Sequence, residues 1–142
     1  VTLQGTLAGQ WTNDVLPQAE KFYLGGARFG RGYYAGEVTG DRALAGTLEL
    51  QLAMSWEASP FGESVLVDPM VYAFYDIGET WENRSQDPNR RVSSFGIGTR
   101  LRLTRSAEFQ LEGVRRFERQ PGGAQADRLK RDALFWRVLF WL

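Results

Sequence analysis

The residues best placed to do chemistry are charged groups set among glycines. Phe22-Tyr23-Leu24-Gly25-Gly26 is followed by Phe29-Gly30-Arg31-Gly32-Tyr33, then by Gly36-Glu37 and Gly40-Asp41. A shorter run is Phe74-Tyr75-Asp76-Ile77-Gly78. An arginine between two glycines has a backbone free to extend into a narrow space. Its guanidinium is a planar, permanent cation suited to a carboxylate. Taken singly, each run reads as an ordinary surface turn. The stretch from Gly25 to Gly40 is too irregular for a dinucleotide fingerprint, and without a Gly-Lys-Ser/Thr triplet there is no phosphate loop.

Most catalytic templates fall away. The 142 residues include no cysteine and no histidine. That removes thiol nucleophiles, thiolate metal sites, the commonest general base and the commonest transition-metal ligand. Carboxylate or lysine chemistry stays open, but no enzyme, cofactor or metal site is assigned. The formal net charge is zero, so nothing points to nucleic acid. No run reaches the roughly 18 to 20 apolar residues of a membrane helix. Val1-Thr2-Leu3-Gln4 has neither a basic start nor an apolar core, so no targeting segment is expected here.

Strands must therefore position the charged groups. Period-two alternation marks Val1 to Trp11, with Leu3, Gly5, Leu7 and Gly9 against Thr2, Gln4, Thr6 and Ala8. It is clearest from Arg42 to Glu57, where Leu44, Leu48, Leu50, Leu52 and Trp56 alternate with Ala45, Thr47, Glu49, Gln51 and Ser55. Leucines at every second position would wrap all round a helix. Ser64 to Ile77 is a strand whose first half, with Pro69, reads as a rim segment or bulge. Val92 to Thr104 and Ser106 to Gly113 form a tight hairpin across Arg105, and Ala133 to Leu142 is the last strand. A short strand at Glu20 to Gly25 brings the number to about seven. Long polar connections are expected at Thr12–Gln18, Gly25–Asp41, Gly78–Arg90 and Glu118–Arg131, with short turns near Ala58–Glu63 and at Arg105.

The faces decide where this sheet lives. Alternation alone fits a soluble barrel or a membrane barrel, which differ in whether the apolar face points in or out. The polar faces mix small residues with glutamine, arginine and glutamate, which suits a crowded wet lumen. The chain closes on the apolar aromatic strand LFWRVLFWL. The expectation is an all-β antiparallel meander in a transmembrane β-barrel. Its lumen wall would carry Glu49, Gln51, Arg100, Arg102, Glu108 and Glu112, the two glutamates facing Arg100 and Arg102 across the hairpin. Asp76 has the parity opposite Val71, Ala73, Tyr75 and Ile77, so it too faces the lumen, where a loop arginine would find it a natural partner. Seven strands do not close such a barrel, and a start in mid-strand is expected to mean the C-terminal part of a larger one.

Taken in order, Gly9-Gln10, Leu16-Pro17, Glu20, Phe22, Leu24-Gly25-Gly26, Arg31-Gly32-Tyr33, Glu37, Gly40-Asp41 and Leu48-Glu49-Leu50 resemble the C-terminal barrel of two-partner secretion transporters. These TpsB proteins, of the haemolysin-activator and filamentous-haemagglutinin-transporter type, share a superfamily with the BamA and TamA assembly proteins. The resemblance spans essentially the whole chain. It implies residues 1–142 as the C-terminal part of a barrel of about sixteen strands in the bacterial outer membrane. The periplasmic POTRA domains and the first barrel half would lie outside this sequence. It also implies that Arg31-Gly32-Tyr33 tips a long loop, about 25–41, that folds back into the barrel. That tip would meet the F-x-D-x-G motif matched by Phe74, Asp76 and Gly78, with Arg31 contacting Asp76. Two departures stand out: Gly30 precedes the arginine where valine is frequent, and the chain ends on Leu142 where phenylalanine is usual.

The function implied is a translocation pore that secretes a partner exoprotein. Its other partners would be outer-membrane lipid and the missing part of its own barrel. Three alternatives stay open: a barrel-assembly factor of the same superfamily, an outer-membrane enzyme acting on lipid, and a soluble ligand-binding β-barrel.

Overall fold

Alternating segments become long strands, and the glycine-rich run becomes a separate hairpin. The computed structural model describes residues 1–54, 56–58, 65–84, 86, 88–104 and 107–141. In chain order the strands are β1 (Thr2–Gln10), β2 (Phe22–Leu24), β3 (Val38–Gly40), β4 (Arg42–Ala53), β5 (Trp56–Ala58), β6 (Val65–Trp81), β7 (Arg90–Thr104), β8 (Ala107–Arg116) and β9 (Asp132–Phe140). One 3-10 turn, Gln18–Glu20, precedes β2. The wall has the order β1-β4-β6-β7-β8-β9, antiparallel throughout, with β5 continuing the pairing along β6. This is an open up-and-down meander, the arrangement of a partial barrel.

The strand expected at Glu20–Gly25 is not part of the wall. Residues of β2 pair with β3 in a two-stranded sheet, Phe22 opposite Gly40 and Leu24 opposite Val38. Leu24 and Val38 are fully buried there, packed with Phe29, Tyr33, Ala45 and Val92. Their apolar area covers the wall instead of extending it.

Two other expectations shift. The strand begun near residue 64 runs on to Trp81, because Arg42 to Ala45 and Arg90 to Val92 keep pairing with it beyond Ile77. Pro69 sits within that strand, its carbonyl accepting the Met54 N–H at 2.9 Å. In an antiparallel ladder a residue's N–H and C=O point the same way. The missing proline N–H therefore also faces Met54 and cannot return its bond, and the β4–β6 ladder stops there, at the break before β5. Across the β7–β8 hairpin, Arg102 lies opposite Glu108 as expected, but Arg100 faces Gln110, and Glu112 faces Gly98. The turn at 59–64, Arg105 and the side chain of Trp56 lie outside the described residues.

The two faces of the wall differ sharply. Leu7 is 82% exposed, Ile97 67%, Trp136 70% and Phe140 78%, with Leu3, Leu44, Leu48 and Leu134 on the same side. A contiguous apolar face of this kind needs an apolar surrounding. The opposite face carries Glu49, Asp76, Ser94, Glu112 and Arg116, all buried beneath the glycine-rich loop.

Candidate functional site

The loop between β2 and β3 lies across the polar face, and its backbone is shaped for that. Gly25, Gly26, Gly30, Gly32 and Gly36 all have positive φ. Gly32 is the critical one. Its φ is +96°, and a Cβ there would come within 2.6 Å of a Val114 methyl, so only glycine lets the tip lie flat on β8.

Arg31 is seated by its main chain and its side chain together. Its backbone N–H donates to Asp76 Oδ2 at 2.8 Å, and its carbonyl accepts the Ser94 hydroxyl at 2.6 Å. The guanidinium donates Nε to Asp76 Oδ2 at 3.0 Å and Nη2 to Asp76 Oδ1 at 2.8 Å. Its Nη1 reaches Glu49 Oε2 at 2.5 Å. The Thr47 hydroxyl accepts from Nη2 at 2.8 Å and donates to Asp76 Oδ1 at 2.5 Å. Below the guanidinium the Phe74 ring centroid is 3.5 Å from Cζ. A fork geometry with two carboxylates and an aromatic face is the strong form of an arginine contact. Burial works against the Arg31 charge, but the bonds from Asp76 and Glu49 outweigh it and hold the guanidinium above its ordinary pKa.

Strand register explains why these groups converge. Thr47 is opposite Asp76, which is opposite Ser94, which is opposite Arg116, so one row crosses β4, β6, β7 and β8. Glu49 and Phe74 share the next row with Gly96. A Cβ at Gly96 would collide with the Phe74 ring, and one at Gly78 would meet Leu24 at 2.8 Å. The glycines thus leave room for Phe74 beneath Arg31 and for Leu24 of the loop.

The neighbouring tip residues are held as closely. Arg116 donates through Nε to the Gly32 carbonyl and through Nη1 to the Lys130 carbonyl at 2.7 Å. The Tyr33 hydroxyl donates to the Ser93 carbonyl at 2.8 Å and accepts the Glu118 N–H at 3.2 Å. Burial, reinforced by the Glu118 charge, pushes the Tyr33 phenol above its ordinary pKa, so it stays a protonated donor.

The base of the loop has its own fastening. Asp41, fully buried, accepts backbone N–H groups from Leu16 and Asn83, each at 2.8 Å. Lys21 lies 3.7 Å from Asp41 and donates to Glu82 at 2.5 Å. Burial alone would raise the Asp41 carboxyl. The two backbone donors and Lys21 prevail and keep it below the usual carboxylate range. For Lys21, burial would lower the amine, yet its bonds to Glu82 and Asp41 raise it.

The remaining lumen-wall residues fall into two groups. Arg31, Arg100, Gln110, Glu112 and Arg137 line a cavity of about 260 Å³ beside the tip. Tyr72 bridges there, donating to Glu112 at 2.8 Å and accepting from Gln110 at 2.7 Å. Gln51 donates to Glu49 at 2.7 Å, and Arg100 comes within 4.0 Å of the same glutamate. Arg102 and Glu108 lie further off, around a second cavity of about 340 Å³ that also takes in Asp68 and Arg100. The sequence reading did not single out Thr47, Ser94, Arg116, Glu118, Lys21 or Tyr72. Thr47 stands on the polar parity of the Arg42–Glu57 segment, whereas the loop contacts of Arg116 and Glu118 depend on chain folding that no local pattern encodes. Among the described residues, no group of three or more histidine, cysteine, aspartate or glutamate side chains is arranged to hold a metal ion.

A family model for the haemolysin secretion/activation protein ShlB/FhaC/HecB matches residues 1–101, which include Arg31, Phe74, Asp76 and Gly78. Comparison with curated proteins and with solved structures gave no match. The match takes in 101 of the chain's 142 residues. On that extent the chain belongs to the haemolysin secretion/activation family ShlB/FhaC/HecB, the outer-membrane transporters of two-partner secretion in Gram-negative bacteria.

Proposed function

We propose that this chain is part of the wall of a pore that passes an exoprotein partner across the outer membrane. In this reading the loop of about residues 25–41 is the pore's inward-folded plug element, with Arg31 on Asp76 as its lock. The seating of Arg31 carries the proposal: a buried guanidinium bound by Asp76, Glu49 and Thr47, with its main chain held by Asp76 and Ser94. A contact that joins one loop to three wall strands is more than a surface turn requires.

The outer edges of β1 and β9 have no partner strand among the described residues. In lipid, an unpaired edge costs several kcal/mol for each backbone group. The proposal therefore includes the rest of a larger barrel, with the POTRA domains upstream of it, as the partner for those edges. Transport here rests on shape and electrostatics and on no catalytic group. Replacing Arg31 by alanine in the full-length transporter is expected to impair secretion of the exoprotein and alter pore conductance. Unchanged secretion and conductance would remove the lock from the account.

A further inference from the structure

Beyond Arg31 and Asp76, the loop tip is tied to a second part of the molecule, the connection between β8 and β9. Glu118 lies at the start of that connection. Its Oε2 accepts the Ser93 N–H at 2.5 Å and the Ser93 hydroxyl at 2.9 Å, and it is 3.2 Å from the Tyr33 hydroxyl. The same residue's N–H donates to Tyr33. Tyr33 and Ser93 are each 3% exposed, while the Glu118 side chain is 30% exposed and 4.0 Å from Arg91 at the rim of the wall.

The connection is itself braced. Leu129 N–H donates to the Arg119 carbonyl at 2.8 Å, Arg119 Nε donates to the Leu129 carbonyl at 2.8 Å, and Leu129 packs on the apolar cluster that holds Leu24, Phe29 and Tyr33. Glu118 thus reaches the loop from a folded segment, not from a loose turn.

We propose that Glu118 is a positioning residue for the inward loop, fastening Tyr33 to the start of β7 as a second latch beside Arg31. The inference rests on the reading that the docked loop is the functional state. It adds that the outer connection after β8 shares control of the loop. Loss of the carboxylate leaves the N–H and hydroxyl of Ser93, the residue whose carbonyl holds the Tyr33 hydroxyl, without their charged partner, and a charge-assisted hydrogen bond of this kind sets equilibria by about tenfold or more.

The test uses the full-length transporter in outer membranes. Val38→Cys, a buried and nearly isosteric site in the loop's β3 strand, serves as reporter, with any other cysteine replaced. Its rate of labelling by a small maleimide reports how often the loop lifts. Glu118→Ala and Tyr33→Phe are each expected to speed labelling, Glu118→Ala by about tenfold, and the double variant no more than the faster single. Glu118→Gln, whose amide oxygen still accepts the Ser93 N–H, is expected to restore part of the protection. Arg31→Ala is the reference. If it accelerates labelling while Glu118→Ala and Tyr33→Phe match the parent, the second latch is overturned and the lock stands. If the two single effects simply add, Glu118 and Tyr33 act separately and the latch is overturned as well. If no variant, Arg31→Ala included, changes the rate, the docked loop fails as the functional state and the latch fails with it.

Discussion

The tip and the base of the inward loop are fastened by opposite chemistry. At the tip a cation from the loop enters a wall of acceptors: Arg31 meets Asp76, Glu49 and Thr47. At the base an anion from the loop gathers donors from its surroundings: Asp41 takes the N–H groups of Leu16 and Asn83, with Lys21 alongside. The tip depends on side chains standing on strands, whose positions register fixes. The base depends on backbone amides of other connections, whose positions follow from the folded loops. A strand-borne site withdraws as a unit when the guanidinium leaves. A loop-borne one loosens only as its neighbours unravel.

Four substitutions test that contrast, in descending order of effect. Asp76→Ala strips the Arg31 guanidinium and N–H of their main partner inside a buried site. A cost of about 3–5 kcal/mol to the docked loop is expected, read as loss of hydrogen-exchange protection across residues 25–41 with the wall strands unchanged. Gly32→Ala forces a Cβ into positive φ and onto Val114, for a cost of about 1–3 kcal/mol in the same measurement. If it matched the parent, the tip would not lie against β8 as described.

Asp41→Asn should cost less at the base, about 1–2 kcal/mol, since one amide oxygen can still accept one of the two N–H groups. Exposure should rise at residues 11–21 and 82–84 before it rises at the tip. Simultaneous loss at both ends would erase the distinction drawn here. The acid response follows from the same group. A carboxyl whose folded pKa is depressed stabilises fully above its unfolded pKa, and that contribution fades as pH falls through the folded value. The base should therefore hold through neutral and mildly acidic solution and loosen only below the ordinary carboxylate range. Loosening near neutral pH would contradict the role given to Asp41. The smallest effect belongs to Arg102→Ala: remote from the tip, it is expected to leave loop protection at the parental level.

How much of this was legible in the sequence follows the same division. The apolar face of β4 and the lumenal parity of Asp76 and Glu49 come directly from alternation, because a strand sends successive side chains to opposite faces. Parity made Asp76 a natural partner for a loop arginine, and the family resemblance implied that Arg31 is that arginine. Pairing was harder. Glu112 was expected across from arginine and faces Gly98, because Glu108 and Glu112 lie four residues apart and Arg100 and Arg102 only two, so one register cannot pair both. Phe22–Leu24 alternates like wall yet folds onto β3, because three residues cannot span a membrane strand's length and their apolar side chains gain more by covering Ala45 and Val92. Asp41 stood in the glycine motif, but its partners Leu16 and Asn83 offer backbone N–H groups that leave no mark in residue type. Glu118 reads as loop charge until the connection after β8 is seen folded over Tyr33.

The most direct test of the central claim is a double-mutant cycle on secretion by the full-length transporter, with Arg31→Ala, Asp76→Ala and the two combined. Because both residues act through one buried contact, the double variant should secrete no less than the poorer single variant. Losses that multiply, or single variants that secrete normally, would contradict the account of Arg31 and Asp76 as one lock.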